Sequence, residues 1–154
     1  MAQAKEKPLY PVPADIEDDF ETWCYQQAEL LRQHRFSEAD VPNVIEELES
    51  MGSEQRLALM SSYRLLISHL LKWQFQPQLR STSWQVTIGR ERDHVAAREK
   101  VNHALRHDAV RLVDDVYHKA VREASTETGL PKSSFPADCP YSLDQLRDPD
   151  WMPE

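Results

Sequence analysis

Apolar residues recur at three- and four-residue intervals through the middle of the chain, the period of amphipathic helices rather than of strands. Phe20, Trp23, Cys24, Leu30 and Leu31, with Gln27 in their midst, form a first stripe and predict a helix from about Asp15 to His34, with Cys24 in its core face. Asp15, Glu17, Asp18 and Asp19 fall in its expected opening turns, where the helix dipole favours negative charge. A second stripe, Val41, Val44, Ile45, Leu48, Leu59, Leu66, Leu70 and Trp73, keeps phase across Gly52 and predicts one long helix to Gln76. Asp40 is placed to cap it, Pro42 is tolerated in its first turn, and Pro77 ends it.

Thr82 with Gln85 three residues later has the form of a capping box and predicts the start of a third helix, whose apolar face holds Trp84, Ile88, Val95 and Leu105. That face is thin. Glu91, Arg98 and Asn102 lie near its centre line, so the helix must either bury a polar network or lie partly exposed. A fourth helix over about Asp108 to Thr126 uses Val113, Val116, Ala120 and Ala124, and Gly129, Leu130 and Pro131 supply its stop. Prolines alternate with aromatics in residues 128–154, where Phe135, Tyr141, Leu143, Leu146 and Trp151 are too many large apolar groups to leave in water. The predicted fold is all-α: an up-and-down bundle of four main helices with this proline-rich C-terminal tail packed across it. An extended arm over 1–14 completes a single domain, 1–154.

Composition narrows the class. The 154 residues, 40% of them hydrophobic, suffice for one core and are too few for two ordinary domains, while three glycines leave the middle free of breakers. No apolar run is long enough to span a membrane or to act as a secretion signal, so a cytoplasmic location is expected. Cys24 and Cys139 then read as two reduced thiols. Charge is polarised along the chain: residues 15–54 carry twelve acidic and two basic side chains, and residues 55–107 three acidic and nine basic. Either the two halves neutralise each other within the fold, or the acidic half serves a protein partner with a basic surface. The overall charge of −8 and the lack of a dense Lys/Arg stripe disfavour nucleic acid.

Candidate chemistry gathers at the end of the long helix. His69, Lys72, Trp73, Arg80, Ser83 and Trp84 bring a titratable ring, two cations, a hydroxyl and two indoles to one region, and Glu91 on the third helix is the nearest plausible carboxylate. A ligand or partner face is one reading; a half-buried packing network is the other. Glu46, Glu47 and Glu49 form an acidic patch on the second helix, but Glu47 stands 22 residues before His69, about 33 Å along a straight helix, so they share no site. The Glu-x-x-His spacing of di-iron bundles is missing, as are nucleotide loops and nucleophile elbows, so neither metal nor cofactor is expected and no catalytic residue is assigned.

Asp19-Phe20 with Trp23, the run Asn43 to Gly52, the run His69 to Pro77, Ser83-Trp84, Gly129-Leu130-Pro131, Phe135-Pro136, Cys139-Pro140-Tyr141 and Asp148-Pro149 together resemble an uncharacterised bacterial family. That family is known as domain of unknown function twenty-nine, and the resemblance spans nearly the whole chain. It implies a helical fold and no known activity, with no catalytic residues to carry over. The functional expectation is therefore a non-enzymatic interaction or regulatory module with an acidic face. The alternative is a small metal-dependent or hydrolytic enzyme centred on His69, Glu91 and Arg80. The pattern leaves the oligomeric state open.

Overall fold

Helices form wherever the stripes predict them, and their ends explain most of the differences from expectation. In the computed structural model, residues 7–154 are described; residues 1–6 of the expected arm lie outside them. The long elements are α1 (Phe20–Arg32), α2 (Val41–Phe75), α3 (Thr82–Val101) and α5 (Ala109–Thr128), with short helices α4 (His103–His107) and α6 (Leu143–Arg147). No strand occurs among the described residues. The all-α class and four long helices are as expected. Contacts gather the chain into two units, Met1–Gly52 and Ser53–Glu154, with α2 running unbroken through Gly52.

In the first unit, α1 starts at Phe20 rather than Asp15. The Asp19 carboxylate accepts the Thr22 amide at 3.1 Å, and the Thr22 side chain first, then this amide, hold its pKa below the usual carboxylate range. Asp15, Glu17 and Asp18 thus form a turn before the helix rather than its first turn. At the other end His34 takes the left-handed position, φ 57°, while the amides of His34 and Arg35 return to the carbonyls of Leu31 and Leu30 at 3.0 and 2.8 Å. This is the paired closure in which glycine is the usual residue. Gln27, polar and buried in the apolar stripe, has a structural reason: its side-chain carbonyl accepts the Asp40 amide at 2.7 Å and so fixes the entry to α2. Residues 7–14 lie along this unit, the Leu9 amide donating to Glu38 at 2.9 Å and the Ala14 amide to Gln26 at 2.8 Å.

The second unit holds the main core. Between Leu66 and Lys72 every α2 residue except His69 is buried, so this stretch is a central helix enclosed on all sides rather than an amphipathic one with a single inner face. Leu59, Tyr63, Leu66, Leu70, Ile88, Val95, Leu112, Val116 and Ala120 pack together there. The cap of α3 is Ser81, whose hydroxyl accepts the Trp84 amide, and not Thr82. The third helix also ends sooner than its pattern suggests. Asn102 leaves the helical region, φ −128° and ψ 71°, and its side-chain amide caps the Arg98 carbonyl at 2.8 Å. This is the local side-chain competition that makes asparagine a poor interior helix residue.

The tail straps the second unit as predicted. Phe135 meets Phe75 edge-to-face at 5.3 Å between centroids, Tyr141 meets Trp151 at 5.6 Å, and the Tyr141 hydroxyl donates to Gln74 at 2.8 Å. Ser142 and Gln145 make the expected reciprocal capping box of α6.

Candidate functional site

The residues singled out at the end of α2 separate into two contacts. His69, Lys72 and Trp84 form the first. His69 Nδ1 lies 2.9 Å from the Leu65 carbonyl, which fixes the proton on that nitrogen and leaves Nε2 to accept from the Lys72 ammonium at 3.2 Å. The Lys72 side chain, 1% exposed, also pairs with Glu127 of α5 and lies 5.2 Å from the Trp84 ring centroid. A sealed ammonium is tolerable only with such partners, and here a carboxylate, a lone pair and a π-face supply them. The second contact joins Trp73 and Arg80: the guanidinium stacks 4.9 Å over the indole and donates from Nε to the Trp73 carbonyl at 2.9 Å, closing the C-terminal end of α2.

Glu91 is buried on α3 and bonds Arg90 at 3.0 Å and His94 at 3.3 Å. Ser83 is exposed in the first turn of α3. Among the described residues no three His, Cys, Asp or Glu side chains converge as a cation site requires. Burial, followed by the Lys72 charge, lowers the His69 pKa against the opposing pull of the Leu65 carbonyl and Glu127. The folded protein thus keeps this ring neutral at pH values where the unfolded chain already binds a proton. Its contribution to stability is complete above the ordinary value of 6.5 and is lost as pH falls through the depressed one. Urea midpoints measured from pH 7 to pH 5 should therefore fall more steeply for the natural protein than for His69→Gln; parallel curves would remove His69 as the cause.

Charged side chains that periodicity assigns to solvent make a second buried network. Glu99, 1% exposed, accepts the Tyr63 hydroxyl at 2.6 Å and a two-pronged bond from Arg147 at 3.0 Å on each prong, with Arg106 at 3.7 Å. Burial first, and then Glu99, pushes the Tyr63 phenol well above its ordinary range. Arg147 is raised by the same carboxylate although its own burial works the other way. Buried Arg92 donates to the carbonyls of Leu146 and Gln145, both at 3.1 Å, and to that of Pro149 at 3.4 Å. Ile88, Glu91, Arg92, Val95 and Glu99 occupy one helical face of α3, so its thin apolar stripe is completed by charge. These contacts hold the tail in place.

The first unit presents a different surface. Leu31 of α1 and Val44, Leu48 and Met51 of α2 line an apolar cleft of about 210 Å³ together with Trp23 and Cys24, so Cys24 lines a cleft and is only partly buried. Leu48 is 63% exposed, Met51 61% and Ile45 50%. The stripe that builds the core beyond Leu59 therefore continues uncovered toward the start of α2. Glu47 borders the cleft, and Glu46 and Glu49 are exposed beside it. Of the basic residues in 55–107, Arg56, Arg64, Lys72 and Arg106 pair instead with Asp108, Glu123, Glu127 and Glu99.

No helix among the described residues is long and apolar enough to cross a membrane. The chain belongs to the family described as domain of unknown function DUF29, whose model matches residues 16–152. Neither a curated protein nor a solved structure matches it.

Proposed function

We propose that the protein is a non-enzymatic interaction module whose first unit receives a basic amphipathic helix of a partner protein. The observation that carries this reading is the uncovered apolar cleft between α1 and the first turns of α2. Folded monomers seldom leave neighbouring large aliphatic groups such as Ile45, Leu48 and Met51 half or more exposed without a use for them. A groove between two helices suits a third helix that lays its apolar anchors at i, i+3 and i+4. The twelve acidic against two basic side chains of residues 15–54 select a partner whose polar face is cationic, and like-charged competitors are repelled. Glu46, Glu47 and Glu49 are the nearest such charges to the cleft.

The test is binding of a labelled amphipathic Leu/Lys helix followed by fluorescence anisotropy, with the matching Leu/Glu helix as control. The Leu/Lys peptide should bind, weaken as salt is raised, and lose about tenfold or more in affinity on Leu48→Asp, a change of at least ~1.4 kcal/mol. Because Leu48 is largely exposed, the same substitution should leave the thermal midpoint within a few degrees. Equal binding of the Leu/Glu helix, or an unaltered affinity in Leu48→Asp, would overturn the proposal.

A further inference from the structure

A cleft of about 660 Å³ in the second unit opens between α5 and the tail. Its floor is apolar, built from buried Tyr117, Val121 and Phe135. That floor is fixed in advance, since the Tyr117 hydroxyl donates to the Pro136 carbonyl at 2.7 Å and Phe135 is locked against Phe75. Burial, then the charges of Cys139 and Asp138, pushes the Tyr117 phenol up to about 12, so it remains a neutral donor to that carbonyl.

The walls carry a consistent charge. His118 and Arg122 stand one turn apart on the same face of α5, and Lys132 and Ser133 face them from the tail, with no carboxylate lining this part of the cleft. In a chain with 26 acidic and 18 basic residues that is an uneven distribution. Elsewhere in the second unit, Arg64 pairs with Glu123, Lys72 with Glu127, Arg90 with Glu91 and Arg147 with Glu99, while Arg80 and Arg92 are held by carbonyls of their own fold. Among the described residues no carboxylate pairs with Arg122 or Lys132. A guanidinium and an ammonium left available beside an apolar floor are the pair of features that recognise an anionic group on an apolar body.

From this we infer that the cleft is a binding site for a small organic anion, its phosphate or carboxylate held by Arg122 and Lys132 and its apolar part resting on Phe135 and Val121. The limit on size is also set by charge. Past Ala137 the depression continues along Asp114 and Asp138, sharing Tyr117 and His118 with the cationic part. A long polyanion such as nucleic acid would run into those carboxylates, whereas a compact anion meets only the cationic half.

The test uses phenyl phosphate and benzoate as probes, with benzyl alcohol as the neutral control, followed by amide chemical shifts of the labelled full-length protein. Both anions should shift the resonances of His118, Arg122, Ser133 and Phe135 in a saturable way. Arg122→Gln and Lys132→Gln should each weaken binding about tenfold or more, as expected for loss of a charge-assisted contact. Both side chains are exposed, so the variants should keep the native spectrum away from the cleft. Phosphate ester bound in preference to benzoate would identify phosphate as the recognised group, and the reverse order carboxylate. Absence of saturable shifts with either anion, equal shifts with benzyl alcohol, or affinities untouched by both substitutions would each overturn the inference.

Discussion

Truncation after Pro131 should abolish the cooperative unfolding transition of the second unit. The deletion removes Phe135, Tyr141 and Leu146 from the core, each buried to at least nine-tenths. Burial of side chains of this size is worth about 1.5 to 3 kcal/mol apiece, so the apolar loss alone is on the order of 5 kcal/mol or more. It also strands polar groups that the tail satisfies. Arg92 loses the carbonyls of Gln145, Leu146 and Pro149, and Glu99 loses Arg147. Each stranded group adds about 1 to 3 kcal/mol, and the sum matches the whole stability of an ordinary domain. Far-ultraviolet circular dichroism should keep much of its helical signal, because α2, α3 and α5 retain their sequences. Near-ultraviolet signal should fade and a hydrophobic dye should bind. A truncated chain melting cooperatively within about five degrees of the natural protein would show the tail to be a decoration, since a loss of a few kcal/mol moves the midpoint much further than that.

The strapping of that tail was legible in the residues, because aromatic and aliphatic groups between prolines must find cover and Ser142-x-x-Gln145 announces its own turn. The course of α2 was legible for a similar reason, its stripe keeping phase across Gly52. What periodicity does not convey is what the stripe faces. The same spacing yields fully buried residues at Leu59, Leu66 and Leu70 and half-exposed ones at Val41, Ile45 and Leu48. A helical stripe states that a surface is apolar; coverage depends on residues distant in sequence.

The polar candidates divide along the same line. Of the residues grouped near one helix end, Lys72 meets both His69 and Trp84. The pairing of Lys72 with Glu127, 55 positions beyond it, lay outside any local pattern. Arg92 and Glu99 were invisible as interior groups because a charged residue is scored for solvent until its partner is known. The one available signal was the sparse apolar face of α3, which had to be completed by something. The cleft between α5 and the tail gave no signal, since Arg122 and Lys132 acquire meaning only from the carboxylates that are not beside them.

Glu99 is where that hidden network should be most sensitive, and Glu99→Ala is expected to cost about 3 to 5 kcal/mol, as breaking one side of a buried ion pair generally does. The residue is 1% exposed, and its carboxylate simultaneously answers the Tyr63 hydroxyl and both prongs of Arg147. Its removal leaves a guanidinium and a phenol facing each other across a void, so the thermal midpoint should drop by roughly ten degrees or more. Two companion variants separate charge from packing. Glu99→Gln keeps the volume and part of the hydrogen bonding, and should lose less than alanine does. The double substitution Glu99→Leu with Arg147→Leu removes both charges and refills the space, and should recover much of the alanine loss, because apolar replacement of a whole buried pair is often neutral. High salt should not rescue Glu99→Ala, as a sealed pair is poorly screened in the first place. A cost below about 1 kcal/mol for Glu99→Ala, in the range of exposed ion pairs, would mean that Arg147 is held to the bundle by the carbonyls and apolar contacts of α6 alone.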